Sequence, residues 1–496
     1  MEKLTKKYGL ITAICMVVGI VIGSGIFFKA GKVLSNTGAN IGKSLLVVAI
    51  VGAIMIICSY VFATLAAKYE KVNGVVDYAE AMLGKRFAYY VGWFMTTMYY
   101  PILTSTLAWV SAQYTVILFG LDVSGAGHLA IAAFFMICGY GVNALSPKLA
   151  GKFQVSTTFI KLVPLIIMGI VGTIAGLING TTLKAFNASL TTAGGKEVSN
   201  DIFAAVCAFA FAYEGWIIAT AINSELKNSK RNLYIALFVG SLIVVGVYLL
   251  YFLGLSGALS TERIIASGDN LPQEAFSSLF NSSVMGTIVM VFVVLSCLGT
   301  MNGLMLGCCR GMYSLAARNE GPLPKLFGQV DKHTDMPHNS AIIGLVFCAA
   351  WLLQWQVFFF DNTVLGEGRV PLFWCWEGDE VSIITLYAFY VPIFIAMMIK
   401  CKELGFFKRF VMPGLATLCC VFMCFCAYRG YAAHGQIWSY LIVFAIIMIA
   451  GFFFSEDFKK LIGKKPTEEV VDDFLTEEAG TPEIADVVTE ETTVSE

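Results

Sequence analysis

Apolar residues run along this chain in long blocks separated by short polar punctuation. Block length, not a two-residue alternation, sets the reading. Twelve blocks are long enough to cross a hydrocarbon core roughly 30 Å thick: residues 9–34, 41–67, 87–119, 128–145, 152–178, 201–223, 232–257, 284–316, 340–360, 381–399, 410–428 and 436–455. Basic residues fall unevenly between them. With the N-terminus placed inside, the inner segments hold 24 of the 33 Lys and Arg, including Lys3, Lys6, Lys7, Lys85, Arg86, Lys227, Lys230, Arg231, Lys400, Lys402, Lys408 and Arg409. The outer segments and outer helix ends hold 8, and Lys161 alone lies deep inside a span. That asymmetry predicts a cytoplasmic location for both ends. The first block, behind a basic stub, has the outline of a secretory signal peptide. It is too long, lacks a small-x-small cleavage site and is followed by eleven more blocks.

Composition agrees with the blocks. At 57% hydrophobic and 14% charged residues, the chain cannot cover a soluble surface, and an all-α integral membrane protein is expected. The fourteen cysteines lie almost entirely in or beside apolar blocks, with only Cys375 in an outer loop. They read as small buried hydrophobes and not as a disulfide framework. His128, His333, His338 and His434 are scattered without metal-ligand spacing. No nucleophile–base pair, metal cluster or nucleotide loop appears, which excludes an enzyme and predicts no cofactor, no metal and no nucleic-acid partner. The last thirty residues, rich in Glu, Asp, Thr and Val, cannot bury a core. The expected organisation is a stub at 1–8, five spans over 9–180, five more over 200–402, two over 407–456, and an acidic disordered cytoplasmic tail over 457–496.

Two blocks carry residues that disfavour a regular helix. The first contains Gly23-Ser24-Gly25. Gly19 and Gly23 alone also fit small-xxx-small helix packing. The sixth contains FAYEGW, with Glu214-Gly215 about 20 Å along the helix from Asp201. A carboxylate at that depth costs roughly 3 kcal/mol unless it meets a cavity or a partner. Interruptions in the first and sixth spans, each opening a five-span unit, are the pattern of an inverted-repeat secondary transporter. A broken helix frees peptide groups that hydrocarbon cannot satisfy, so they must line a polar cavity. The N–H groups after Gly25 suit a carboxylate. The free carbonyls at the two breaks suit an ammonium. Together they select a zwitterion such as an amino acid.

With these motifs in hand, the chain resembles the amino acid–polyamine–organocation (APC) transporters, and within them the L-type amino acid transporter branch and its bacterial exchangers. The likeness rests on GSGIF at Gly23–Phe27, FAYEGW at Phe211–Trp216, SELKNSKRNL at Ser224–Leu233 and CRGMYSLAARNEGPLPKLF at Cys309–Phe327, in order, and covers roughly residues 5–460. It implies twelve transmembrane helices in a LeuT-like 5+5 inverted repeat with discontinuous first and sixth helices. It also implies a substrate carboxylate at Gly23, Ser24, Gly25 and Ile26, and an amine at the carbonyls of Val21, Phe211 and Glu214, beside Ala212. Phe211 would close over the substrate as an outer gate.

The resemblance gives Lys161 a role as well. Its ammonium would replace a sodium ion by bridging the Gly19 carbonyl and the Ser296 hydroxyl. A titratable Lys161 would carry a coupling proton, whereas a permanently charged one would make an exchanger or facilitator. Glu214 is a departure from many relatives. It either contacts a basic or polar substrate side chain or has a structural or proton-handling role. The loop Gly120–His128 lacks the cysteine that would bond a heavy subunit, so none is expected, and a prokaryotic plasma membrane is. The long outer loop Asp361–Glu380 has Phe373, Trp374 and Trp376 as vestibule caps or as interfacial anchors. The expected activity is sodium-independent exchange of neutral L-amino acids by alternating access. Proton-coupled uptake, cationic amino acid or polyamine antiport, and a transporter-like nutrient sensor are the alternatives.

Overall fold

The computed structural model describes residues 9–69, 74–121, 126–193, 195–217, 226–334, 336–363, 375–432 and 435–462. Phe373, Trp374, residues 218–223 at the end of the sixth block and most of the acidic tail lie outside them. Within these residues the chain is all-helical apart from a two-stranded hairpin pairing Thr192–Ala193 with Lys196–Glu197. Nine described helices are long and apolar enough to cross a membrane, and two shorter apolar ones begin at Leu10 and Ile202. The third block runs as Lys85–Phe94 and Tyr100–Leu118, joined by a π-helical turn at Met95–Tyr99. Such a turn widens the helix by one residue and re-aims the side chains around it.

Helix starts follow local chemistry. Asp201 accepts the N–H groups of Phe203 and Ala204 at 2.9 and 3.1 Å and so opens Ile202–Ala210. Asn40 accepts from Lys43 at 3.0 Å and opens Ile41–Lys68. Both are side-chain caps of orphaned helix donors.

The helices pack where side chains are smallest. Methyl groups built on Gly172 and Gly257 would fall 2.4 and 2.0 Å from the carbonyl oxygens of Gly254 and Gly172. The Ser229–Ala258 helix therefore meets the segment after Pro147–Ile167 backbone against backbone, the small-residue contact expected where apolar burial gives no preference over lipid. The outermost helices turn large apolar side chains outward, as with Ile442, Ile446 and Ile449 on Gln436–Phe453.

Two expectations change here. The tail begins with an ordered turn, Glu456–Leu461, capped by the Ser455 hydroxyl on the Phe458 N–H. Trp376 is not an interfacial anchor: it is fully buried, edge-on to Trp351 and Tyr440.

Candidate substrate-binding site

The first block breaks at Ile22–Ser24, between the helices Leu10–Val21 and Gly25–Asn36. The second interruption follows Ile202–Ala210. A 3-10 turn at Phe211–Tyr213 leads to extended Glu214 and then to Gly215 at φ +107°. An L side chain rarely adopts that φ, so glycine suits this corner. The two breaks touch. A methyl group on Gly25 would lie 2.7 Å from the Ala212 Cα and 3.1 Å from the Phe211 ring.

A cavity of about 200 Å³ opens at this contact, lined by Val21, Gly23, Ser24 and Gly25 from one break and Phe211, Glu214 and Gly215 from the other. Leu103, Leu107, Gln154, Thr300 and Gly303 complete its main walls. The leading N–H groups of Gly25 and Ile26 have no carbonyl one turn behind them, and Ser24 Oγ is buried without a partner. Ile26 itself is fully buried.

On the carbonyl side, one group absent from the sequence reading organises both breaks. The Tyr248 hydroxyl lies 2.8 Å from the Ala212 oxygen and 3.3 Å from the Val21 oxygen. The Phe211 oxygen accepts the Glu214 N–H at 3.2 Å. Each carbonyl keeps a second lone pair for a ligand. Glu214 faces the cavity while its carboxylate accepts a short hydrogen bond from Tyr99, which sits on the π-helical turn. Both tyrosines lie in apolar blocks, where they read as ordinary core residues.

Lys161 is fully buried, and its Nζ has no hydrogen-bond partner. Ser296 Oγ is also buried and unpartnered. The bridge from Lys161 to the Gly19 carbonyl and the Ser296 hydroxyl is thus not closed here. Gly19 and Gly23 do pack tightly, since added methyl groups would fall 2.2 Å from Thr158 Cγ2 and 2.9 Å from Thr300 Oγ1. The small-residue packing and the interrupted helix occur together.

Lys161 is not the only basic residue buried within a predicted span. Lys29, one turn past the first break, is 1% exposed. Its Nζ meets Glu380 at 2.6 Å, Asp379 at 2.8 Å and Glu377 at 3.3 Å. Lys32 pairs with Glu380 at 2.8 Å and closely with Glu377, and Tyr431 donates to Glu380. The three carboxylates converge as a cation site does, but the two ammonium groups fill that role. Lys29 also lies 4.7 Å over the Phe28 ring and 5.6 Å over that of Phe211. Phe211 is therefore flanked by a charged cluster that joins Gly25–Asn36 to the start of Gly378–Lys400. The sequence hint was the run WEGDE, which sits in the long outer loop.

Comparison with known proteins identifies the family. The family model for amino acid permeases matches residues 8–453. The chain is similar to a serine/threonine exchanger, SteT, of Bacillus subtilis (strain 168), with 28% identity over 82% of this chain and 86% of the relative. It is 30% identical to a b(0,+)-type amino acid transporter 1 of Oryctolagus cuniculus over 71% of each chain. It is 24% identical to a cystine/glutamate transporter of Homo sapiens over 85% of this chain and 80% of that one.

Proposed function

From a chain that belongs to the amino acid permease family of the APC superfamily, we propose a sodium-independent exchanger of neutral L-amino acids working by alternating access. In this reading it has twelve spans in a LeuT-like 5+5 inverted repeat, both ends cytoplasmic, in the plasma membrane of a prokaryote. No disulfide-linked heavy subunit takes part. The observation that carries the reading is the contact between the two helix breaks, where Gly25 meets Ala212 beside a small cavity. Unpaired N–H groups on one side and shared carbonyls on the other provide complementary partial charges for a carboxylate and an ammonium. The exchanger among the relatives supports the mode of transport.

Lys161 fits a fixed internal cation that removes the need for sodium. Its unpartnered amine also favours a second reading, in which that group carries a coupling proton. The carboxylate of Glu214 inside the cavity favours cationic substrates as a third. A sensor would bind without moving its ligand.

Counterflow in proteoliposomes separates these readings. Each of the twenty L-amino acids is offered outside to vesicles loaded with unlabelled substrate, with and without a pH gradient. The expected result is uptake of neutral amino acids that needs internal substrate and is unchanged when choline replaces sodium. Steep sodium dependence, or binding without accumulation, would overturn the proposal. Uptake driven by the pH gradient into empty vesicles would favour the proton-coupled form.

A further inference from the structure

The polar side chains around the cavity are not equally free to meet a substrate. Ser24 belongs to the break that faces the carboxylate. The Glu214 carboxylate is engaged by Tyr99. The Thr300 hydroxyl donates to the Ser296 carbonyl at 3.0 Å. Gln154 differs: it lines the same cavity, and its Oε1 is buried with no hydrogen-bond partner.

Gln154 lies on the Pro147–Ile167 helix, where its main-chain carbonyl accepts the Thr157 and Thr158 hydroxyls at 3.1 and 2.9 Å, while its side-chain amide points into the cavity. Gly303 lies directly beside the amide, at ordinary van der Waals distance. A methyl group there would stand 3.4 Å from Oε1 and 3.5 Å from Nε2. The rest of that wall is apolar, with Leu103, Leu107, Leu304 and Leu306. A buried amide oxygen without a partner is costly, and the cost is relieved when a ligand brings a donor to it.

We infer that Gln154 reads the side chain of the transported amino acid and sets a preference for side chains carrying a hydroxyl or an amide over aliphatic ones of the same size. The inference rests on the transporter reading above. A hydroxyl both donates and accepts, so it pairs with either end of the amide. An aliphatic side chain leaves Oε1 unmet, and a site built to hydrogen-bond its substrate discriminates strongly against an analogue that cannot.

Threonine and valine have nearly the same shape and differ in the group that matters. In counterflow, the wild-type protein is expected to favour threonine over valine in kcat/KM by about tenfold. In Gln154→Leu that ratio falls to about one. Gln154→Glu, which keeps an acceptor, retains the preference for threonine, and it decides the matter if the leucine variant does not insert. An unchanged ratio in Gln154→Leu, equal losses for both substrates, or a lost preference in Gln154→Glu would overturn the assignment. Failure of the wild-type protein to exchange any amino acid would instead overturn the transporter reading on which it depends.

Discussion

A methyl group has no room at Gly25, because the backbone of Ala212 already occupies the space. That single contact explains why the glycines of the first break do two jobs. They leave peptide groups without helical partners, and they let two interrupted helices meet at the wall of one cavity; in the proposed function both would serve the same small molecule. The break was legible in the sequence because hydrocarbon tolerates few reasons for unpaired backbone, and Glu214 at membrane depth reinforced it. Tyr248, Tyr99 and Gln154 were not legible. A phenol or an amide in an apolar block looks the same whether it packs or binds, and only the fold shows which carbonyl or cavity it faces. Lys161 lies between these cases: its depth was plain, but its lack of a partner required coordinates. Its replacement is the sharpest residue-level test. Lys161→Ala is expected to lower exchange at least tenfold while the protein still inserts and elutes as a folded species. Wild-type exchange by that variant in proteoliposomes would remove Lys161 from the mechanism.

The second half of the first block is an element tied down by charge. Lys29 and Lys32 stand on one helix, and Glu377, Asp379 and Glu380 come from the start of another, nearly 350 positions away in the chain. Sequence pattern alone had no means of pairing them, and the two ends were read more simply, as the end of a span and a long loop. The physical cost of disturbing the cluster is large. Removing one partner from a buried ion pair leaves its counterpart charged and unsolvated, at about 3–5 kcal/mol. Lys29→Met is therefore expected to destabilise the folded protein by about 3 kcal/mol or more, read as a lower thermal midpoint in detergent. Adding Asp379→Leu should recover part of that loss, because residues in one network are not additive. A Lys29→Met midpoint equal to the wild type would show that the cluster is not holding these helices together.

Across the whole molecule, the apolar blocks of the sequence anticipated an all-helical framework, with nine described helices long and apolar enough to cross a membrane, but the connections carry more structure than their polarity suggested. On the face holding the basic loops, Arg318 pairs closely with Asp77 and lies 3.6 Å from Glu80. It thereby joins the end of Ser283–Ala316 to the short helix Val75–Leu83. Two residues on, Glu320 is 6% exposed, and burial pushes its carboxyl up to about 7 against the opposing pull of Arg318. The folded state thus holds that proton more tightly than the unfolded chain does. Its contribution to stability is fully present below the ordinary value of 4.5 and is lost as pH rises through about 7. The loss amounts to at most about 3 kcal/mol. Thermal midpoints measured from pH 5 to pH 8 should fall for the wild type and fall less for Glu320→Gln. Parallel curves would assign the pH response to other groups.

The Tyr248 phenol has one proton and two oxygen neighbours, one at each interruption. It can satisfy only one of them at any instant. Whichever way it turns, the other oxygen keeps an open lone pair, and under the proposed exchanger reading an incoming ammonium would meet that oxygen without first breaking a finished bond.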